Sequence, residues 1–402
     1  MSDRTADRTA DLEVGVMMAA VGYYVAAMGA VVAMLASEFD VPAESLSWVG
    51  STFGAGLLIV AVSGPRLLRR GPRPPLLGSV IAFLLGTLLV ALPANLILIF
   101  VGTALQSIAG SVMVLLAPVI LSTDADVRLT RANAVASLVG VTASPFIGAI
   151  AARGVSGRLG LLVLVPLLGW LLWMILASRS SHIDASPAAA PSPAAAPSPA
   201  EPVEPVEPVE PTEHARPAAV ARRWFTVVMA VSVEFCYVVW GVTRLKATGI
   251  DTSFAAILGI TFSVGMTTGR FAGPWIIRRL PAVPFGASVA AAGTLLVALT
   301  NTWPTVAAGL IIAGLGVATL YPVTLSGLMS VPGLRSSHGA SLGAFASGTA
   351  IVLAPVALAS LSGVVDLRLS FLIPIPLLIV LVLLHGRPTR TLRETGVFEA
   401  EA

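Results

Sequence analysis

The chain has 402 residues, of which 56% are hydrophobic and 11% are charged. Soluble domains usually carry about 25% charged residues, so this composition excludes a water-soluble globular protein and indicates a chain surrounded by lipid. The single cysteine, Cys236, excludes an internal disulfide, and the net charge of +3 is explained by the positions of the arginines, without a nucleic-acid partner.

Twelve apolar segments are long enough to cross a bilayer, which takes about 20 residues. The first ten residues are polar and mixed in sign, so we expect no cleaved signal peptide. We therefore predict an all-α membrane protein. Its twelve predicted helices, numbered in chain order, are 14–36, 46–64, 75–93, 96–121, 133–152, 158–178, 222–243, 252–272, 283–300, 304–328, 339–362 and 367–385.

The distribution of basic residues predicts the orientation. If both termini lie in the cytoplasm, 19 of the 24 Lys and Arg residues fall on the cytoplasmic side, as the positive-inside rule requires. If one helix too many or too few were counted, the basic residues after that helix would fall on the other side of the membrane and the bias would be lost. The sequence therefore predicts a multi-pass protein of the cytoplasmic (inner) membrane with both termini in the cytoplasm.

The middle of the chain differs in composition from both ends. Residues 179–221 contain PAAAPS twice and EPV three times, and proline at this density favours solvated polyproline II over a helix. We predict a cytoplasmic linker there, between a six-helix half at 1–178 and a second six-helix half at 222–402. A protein-docking role of the linker is the alternative to a simple connection.

An internal repeat relates the two predicted halves. At a constant offset of 209, residues 46–70 and 255–279 share eight identities, and both copies end in a GPxxxRR pattern on the cytoplasmic side. We therefore expect parallel repeats related by an axis along the membrane normal. The identical pairs are Gly50/Gly259, Thr52/Thr261, Phe53/Phe262, Gly56/Gly265, Gly64/Gly273, Pro65/Pro274, Arg69/Arg278 and Arg70/Arg279.

The end of the first copy resembles the signature of the major facilitator superfamily between helices 2 and 3. The residues in that frame are Gly64, Leu68, Arg69, Gly71 and Arg73, with Leu68 in place of the family's aspartate. The resemblance implies gate residues at these positions and at Gly273 and Arg278 of the second copy. Without the aspartate, the gate lacks one ion pair, and the arginines alternatively serve orientation alone.

Helices 4 and 5 are similar to exporters of that superfamily. Helix 5 carries Gly140, Ser144, Pro145, Gly148 and Ala149 in the frame of the exporters' glycine–proline motif. Pro145 bends the helix, which either favours antiport at the interface between the halves or marks an ordinary tight crossing. Helix 4 has Thr103 where exporters have an arginine, and Gln106 either lines the cavity or bonds a neighbouring helix.

Glu234 is the strongest single candidate for function. It lies well inside helix 7, whereas the other acidic residues fall in tails, loops or helix ends. A carboxylate at this depth is costly, so we predict a proton- or substrate-binding group that favours its neutral form; the alternative is a structural carboxyl group. Tyr237 and Trp240 follow on the same helix, as substrate contacts or as core packing.

The segment around Glu234, with Gly269 and Arg270 of helix 8, resembles the fucose-permease-like branch of the superfamily. The resemblance places a helix-10 stretch with Tyr321 in the cavity, and Arg270 serves as a gate contact or as an anchor on the cytoplasmic side. Cavity-lining helices 1, 4, 7 and 10 offer Tyr23 or Tyr24, Gln106, Glu234, Tyr237 and Tyr321. This set has no Arg or Lys, which predicts neutral or cationic amphipathic substrates.

We therefore predict a secondary transporter, acting as a monomer in lipid, that exports a small molecule in exchange for protons. Proton-coupled uptake of a neutral solute such as a sugar, and a scaffold using the linker, are the alternatives. No phosphate-binding loop, metal-ligand spacing or nucleophile beside a histidine is present in the sequence, so we expect no enzyme, cofactor or metal.

Overall fold

The computed structural model describes residues 2–67, 71–92, 94–121, 125–180, 216–334 and 336–386. All regular elements in these ranges are helical, which confirms the predicted all-α fold. Twelve spans within them are long and apolar enough to cross a membrane. We number them as helices 1 to 12: Arg8–Glu38, Ala43–Gly64, Arg73–Ala91, Leu96–Leu121, Arg131–Ala151, Gly157–Ala177, Pro217–Lys246, Thr252–Arg279, Ala282–Leu299, Trp303–Met329, His338–Ser362 and Leu367–His385.

The helices on either side of the predicted linker are longer than expected. Helix 6 continues to Ser180, and helix 7 begins at Pro217 instead of residue 222. Proline suits the first turn of a helix, where its missing N–H is not needed. Residues 181–215 lie outside the described residues, so the linker stays a prediction.

Helices 5 and 10 are both interrupted shortly ahead of a proline. The helical segment that enters helix 5 is Ala125–Val141, which begins before the membrane span, and Ala143–Ala151 follows it. Helix 10 consists of Trp303–Val317 and Leu320–Met329. Pro145 and Pro322 each follow the break and lack the N–H that would bond the residue four positions earlier. An interruption therefore precedes Pro145, where the sequence predicts a bend, and a second one precedes Pro322.

Successive spans run in opposite directions, which defines two faces of the bundle. We call the face where helix 1 begins and helix 12 ends the terminal face, and the other the opposite face. Helix 7 runs from Pro217 at the terminal face to Lys246 at the opposite face, and helix 8 returns from Thr252 to Arg279.

The internal repeat is present in the packing. A Cβ added to Gly56 of helix 2 would lie 2.6 Å from the Ser107 carbonyl oxygen of helix 4. In the second half, the equivalent Gly265 of helix 8 packs on the Ile311 carbonyl oxygen of helix 10 in the same way. Helices 2 and 4 thus cross as helices 8 and 10 do, because small residues allow backbones to approach closely.

A second glycine pair repeats at an offset of 207. A Cβ on Gly86 would lie 2.6 Å from the Gly102 carbonyl oxygen, and one on Gly293 would lie 2.6 Å from the Gly309 carbonyl oxygen. The crossing of helices 3 and 4 therefore matches that of helices 9 and 10. The sequence comparison missed it, because the connection between helices 2 and 3 changes the offset by two residues.

Two buried arginines cap carbonyl groups at the opposite face. Arg158 donates from Nη1 to the Val90 carbonyl oxygen at 2.7 Å and from Nε to the Glu38 carboxylate at 2.7 Å. Arg244 donates to the carbonyl oxygens of Val297 and Thr300. Helices 3 and 9 thus end in the same way, with their last carbonyl groups satisfied by a cation.

Candidate substrate and proton site

Glu234 lies inside the bundle and faces a cation. It is twelve residues before the end of helix 7 at Lys246, about 18 Å at the usual helical rise. Its side chain is 17% exposed, and its Oε1 lies 3.8 Å from Nη2 of Arg270 in helix 8. This distance is that of an ion pair, and no hydrogen bond to the carboxylate is found among the described residues.

Arg270 joins this carboxylate to the other half of the molecule. Its Nη1 donates a hydrogen bond of 2.5 Å to Oγ of Ser137, which belongs to helix 5. The Arg270 side chain is 41% exposed, so the guanidinium is accessible from outside the protein core. One side chain therefore bridges helix 7 of the second half and helix 5 of the first.

Tyr321 completes the cluster from helix 10. Its hydroxyl group interacts with Ser347 of helix 11 and lies within electrostatic range of Glu234 and Arg270. The interruption of helix 10 ahead of Pro322 falls directly beside it. Tyr321 is thus the one predicted tyrosine that the structure brings to Glu234.

The predicted lining set, which has no Arg or Lys, omits the cation that faces Glu234. Arg270 is nine residues from the end of helix 8 at Arg279, about 14 Å along the axis, and its long side chain extends to Glu234. Sequence reasoning assigned Arg270 to the cytoplasmic end of the helix. The direction of a side chain depends on helix rotation, which sequence position alone does not fix.

Three predicted cavity-lining residues of the first half form hydrogen bonds within that half. Tyr23 donates from its hydroxyl group to the Gly160 carbonyl oxygen at 2.9 Å, and Tyr24 shares a 2.8 Å hydrogen bond with Ser107. Gln106 donates from Nε2 to Oγ1 of Thr87 at 3.0 Å. All three side chains are buried, so the expected cavity lining is replaced here by helix-to-helix hydrogen bonds.

The two aromatic residues that follow Glu234 are also buried in their half. Tyr237 shares a 2.5 Å hydrogen bond with Thr294 of helix 9 and stacks on Phe262, with ring centroids 5.2 Å apart. Trp240 is fully buried, and its Nε1 has no hydrogen-bond partner among the described residues. In this conformation, both side chains therefore pack in the core, which was the alternative to contact with a substrate.

The predicted helix-5 motif divides between two interfaces. Gly140 packs against Gly22 of helix 1 in its own half. Ser144 donates to the Ala256 carbonyl oxygen of helix 8 at 2.7 Å, and a Cβ on Gly148 would lie 2.5 Å from the Ser253 carbonyl oxygen. The part of the motif from Ser144 to Gly148 therefore lies between the halves, as the functional alternative requires.

The predicted gate residues lie along the terminal face. Gly71 has a φ of +84°, a conformation that favours glycine, and Arg73 begins helix 3. Arg278 donates from Nε to the Pro274 carbonyl oxygen of its own helix, and no bond from it to the described residues of the first half is found. Gly64 and Gly273 pack on Leu115 and Thr319 inside their halves, and Arg69 lies outside the described residues.

Contacts between the halves are close from mid-height to the opposite face. Ser51 of helix 2 donates to the Val352 carbonyl oxygen of helix 11 at 3.0 Å, and Gly54 packs on the Gly348 carbonyl oxygen. Two depressions of about 340 and 600 Å³ lie at the opposite face, and neither is lined by Glu234 or Arg270. The charged cluster therefore lies on the terminal-face side of the packed region.

These features define a class of protein. Twelve apolar spans form two repeats that meet at an interface beside a charge pair, as in membrane transporters with two similar halves. Residues 12–289 match the family model described as Major Facilitator Superfamily, and the chain belongs to that family. It is a multi-pass membrane transporter. Comparison with curated protein sequences finds no match.

Solved structures support the same fold. A mutant of the nucleoside transporter NupG aligns with a TM-score of 0.68 at 12% identity, over 94% of this chain and 98% of that chain. A mutant of the peptide transporter POT gives 0.68 at 14% identity, over 94% and 93%. A bacterial homolog of the human lysosomal transporter Spinster gives 0.64 at 13% identity, over 94% and 96%. At these identities, the likeness shows the fold alone.

Proposed function

We propose that the protein exports a small amphipathic molecule from the cytoplasm in exchange for protons, by alternating access of a site at Glu234. The observation that carries this proposal is the position of Arg270, which contacts Glu234 in one half and Ser137 in the other. A change in the charge of Glu234 alters the field at Arg270, so proton binding is linked to a contact between the halves.

The proposed orientation follows from the basic residues. The terminal face carries most of the Arg residues, which assigns it to the cytoplasm of the inner membrane under the positive-inside rule. In this orientation, the packed region lies between Glu234 and the outside, and the 41% exposure of the Arg270 side chain supports access to the cluster from the cytoplasm. A monomer surrounded by lipid is sufficient for this cycle, because both halves belong to one chain.

Export follows from the order of binding in this cycle. Glu234 takes up a proton when the site opens outward, and substrate arriving from the cytoplasm displaces that proton. The break of helix 5 before Pro145, and the contacts of Ser144 and Gly148 with helix 8, support a bend at the interface that moves during the cycle. Uptake by symport requires substrate and proton to bind together instead.

Proton release on ligand addition tests the proposal. Full-length protein in weakly buffered detergent is mixed with a panel of small molecules while the pH of the solution is recorded. We expect release by the wild type and none by Glu234→Gln. Glu13→Gln is the matched control, since Glu13 is a partly buried carboxyl group in helix 1 near Arg73. Proton uptake on binding would reject antiport and favour symport.

A further inference from the structure

We propose that the substrate is a small zwitterion, whose cationic group binds Glu234 and whose anionic group binds Arg270. This inference rests on the proposed function and names the substrate class of the same site. It follows from the geometry of the charge pair, the net charge of the site and the neighbouring hydroxyl groups.

The charge pair is open. Charge-assisted N–H···O bonds are usually about 2.7–2.9 Å long, whereas Glu234 Oε1 and Arg270 Nη2 are 3.8 Å apart. A guanidinium has five N–H donors, and Arg270 uses one on Ser137. The carboxylate and the guanidinium therefore both keep hydrogen-bonding capacity toward a ligand placed beside them.

Charge balance selects the ligand. The ionised pair has no net charge, and an uncompensated charge at this depth in a membrane is expensive. A cation bound to Glu234 displaces Arg270 from its counter-ion, and an anion bound to Arg270 does the same to Glu234. A zwitterion gives each group a new partner and leaves the site neutral.

The remaining polar groups fit a ligand of this kind. Tyr321 interacts electrostatically with both charges and bonds Ser347, and Ser137 holds the guanidinium from the other half. Hydroxyl groups donate and accept hydrogen bonds, so they serve either end of a zwitterion. The ligand thereby contacts helices 7 and 8 and, through Arg270, helix 5 of the first half.

A zwitterion is also compatible with proton exchange. When Glu234 is protonated, it offers no counter-ion to the cationic group of a zwitterion, which then keeps only its ionic contact with Arg270. The zwitterion is therefore expected to bind after the proton has left. This order is the one that antiport requires.

The test compares molecules that share one skeleton and differ in charge. Phenylalanine is a zwitterion, 2-phenylethylamine a cation, 3-phenylpropanoate an anion and 2-phenylethanol neutral; leucine, isoamylamine, 4-methylpentanoate and isoamyl alcohol form a second series. Binding to full-length protein in detergent at pH 7 is measured by calorimetry. We expect at least one zwitterion to bind tenfold or more tightly than its three relatives.

Variants assign each charge of the ligand. In Arg270→Gln, the affinity for the cation should come to within about twofold of the affinity for the zwitterion. In Glu234→Gln, the same should hold for the affinity for the anion. Arg270→Lys should keep part of the zwitterion's advantage and controls for loss of folding. Arg153→Gln is the matched control, because exposed Arg153 bonds the Ala149 carbonyl oxygen of its own helix; it should leave all affinities unchanged.

Several results would overturn the proposal that the substrate is a zwitterion. These are equal affinity of the cation or the anion in the wild type, no binding by either zwitterion, or an equal loss of all four molecules in Arg270→Gln. Failure of the proposed function is distinguishable from these. If a cation releases protons through Glu234, the antiport proposal stands and the zwitterion proposal fails. If a zwitterion binds without proton release, the zwitterion proposal stands and the antiport proposal fails.

Discussion

Arg270 of helix 8 donates to Ser137 of helix 5 at 2.5 Å across the boundary between the two halves. The same guanidinium lies 3.8 Å from Glu234, so the contact between the halves and the buried carboxylate share one cation. Any event that changes the charge of Glu234 also changes the electrostatic balance at this boundary. Under the proposed function, this relationship links proton binding at Glu234 to movement of the halves.

Replacing Ser137 by alanine should loosen the boundary without removing the charge pair. The lost hydrogen bond is half exposed and is worth about 1 kcal/mol, so opening of helices 5 and 8 should become about fivefold more frequent. Hydrogen exchange of amides 131–141 and 264–274 measures this. Ser288→Ala is the control, because Ser288 bonds the Pro284 carbonyl oxygen of its own helix. Unchanged exchange in Ser137→Ala would show that Ser137 does not hold the boundary.

Gly148→Ala should destabilise the packed region between the halves. Its Cβ would lie 2.5 Å from the Ser253 carbonyl oxygen and 2.6 Å from the Ile257 nitrogen, and overpacking of this kind costs about 1–3 kcal/mol. We expect a lower Tm in detergent. Gly169→Ala meets no atom within 4 Å and should leave the Tm unchanged or slightly raised, since alanine is the better helix former. Equal Tm values for the two variants would contradict the assigned interface.

Gln106→Leu distinguishes a structural amide from a substrate contact. The hydrogen bond from Gln106 to Thr87 joins helices 4 and 3, and such bonds in membrane proteins contribute about 0.6 kcal/mol on average. We expect a slightly lower Tm and ligand affinity within twofold of the wild type. Tyr23→Phe, which removes the bond to Gly160, should behave in the same way. A tenfold loss of affinity in either variant would place that side chain at the substrate.

We predict that Asp251 makes a small contribution to the free energy of unfolding, and that this contribution is lost in acid. It caps helix 8 at the opposite face. Hydrogen bonds from backbone N–H groups, of which that of Phe254 has the largest effect, hold the pKa of the Asp251 carboxyl group below the usual value. A lowered folded-state pKa stabilises the protein above about pH 4, and this contribution is lost as the pH falls through the folded pKa. Asp251→Ala should cost about 1 kcal/mol at pH 7 and Asp251→Asn clearly less. Thermal unfolding at pH 7 and pH 3 checks this, and an Asp251→Ala deficit that grows toward acid would contradict it.

The sequence was sufficient for the number and type of the helices. Hydropathy and the positions of the arginines predict twelve spans, and one glycine-rich repeat predicts two similar halves. Glu234 was found because a carboxylate far inside an apolar helix stands out from its surroundings. These signals are local or periodic, so a single sequence carries them.

The contacts of the site needed the structure. Whether Arg270 points to solvent or to Glu234 depends on the rotation and height of helix 8 relative to helix 7. In the same way, the rotation of helix 1 turns Tyr23 and Tyr24 toward Gly160 and Ser107, inside the first half. None of these directions follows from spacing along one helix, because each partner lies on another.

The most direct test of the central claim is infrared difference spectroscopy of the carboxyl groups. Full-length protein is held at a pH at which proton release is observed, and ligand is added. We predict loss of the carbonyl-stretch band of one protonated carboxyl group in the wild type, absent in Glu234→Gln and retained in Glu13→Gln. A band that disappears equally in the Glu234 variant, or no change in the wild type on binding, would contradict proton exchange at Glu234.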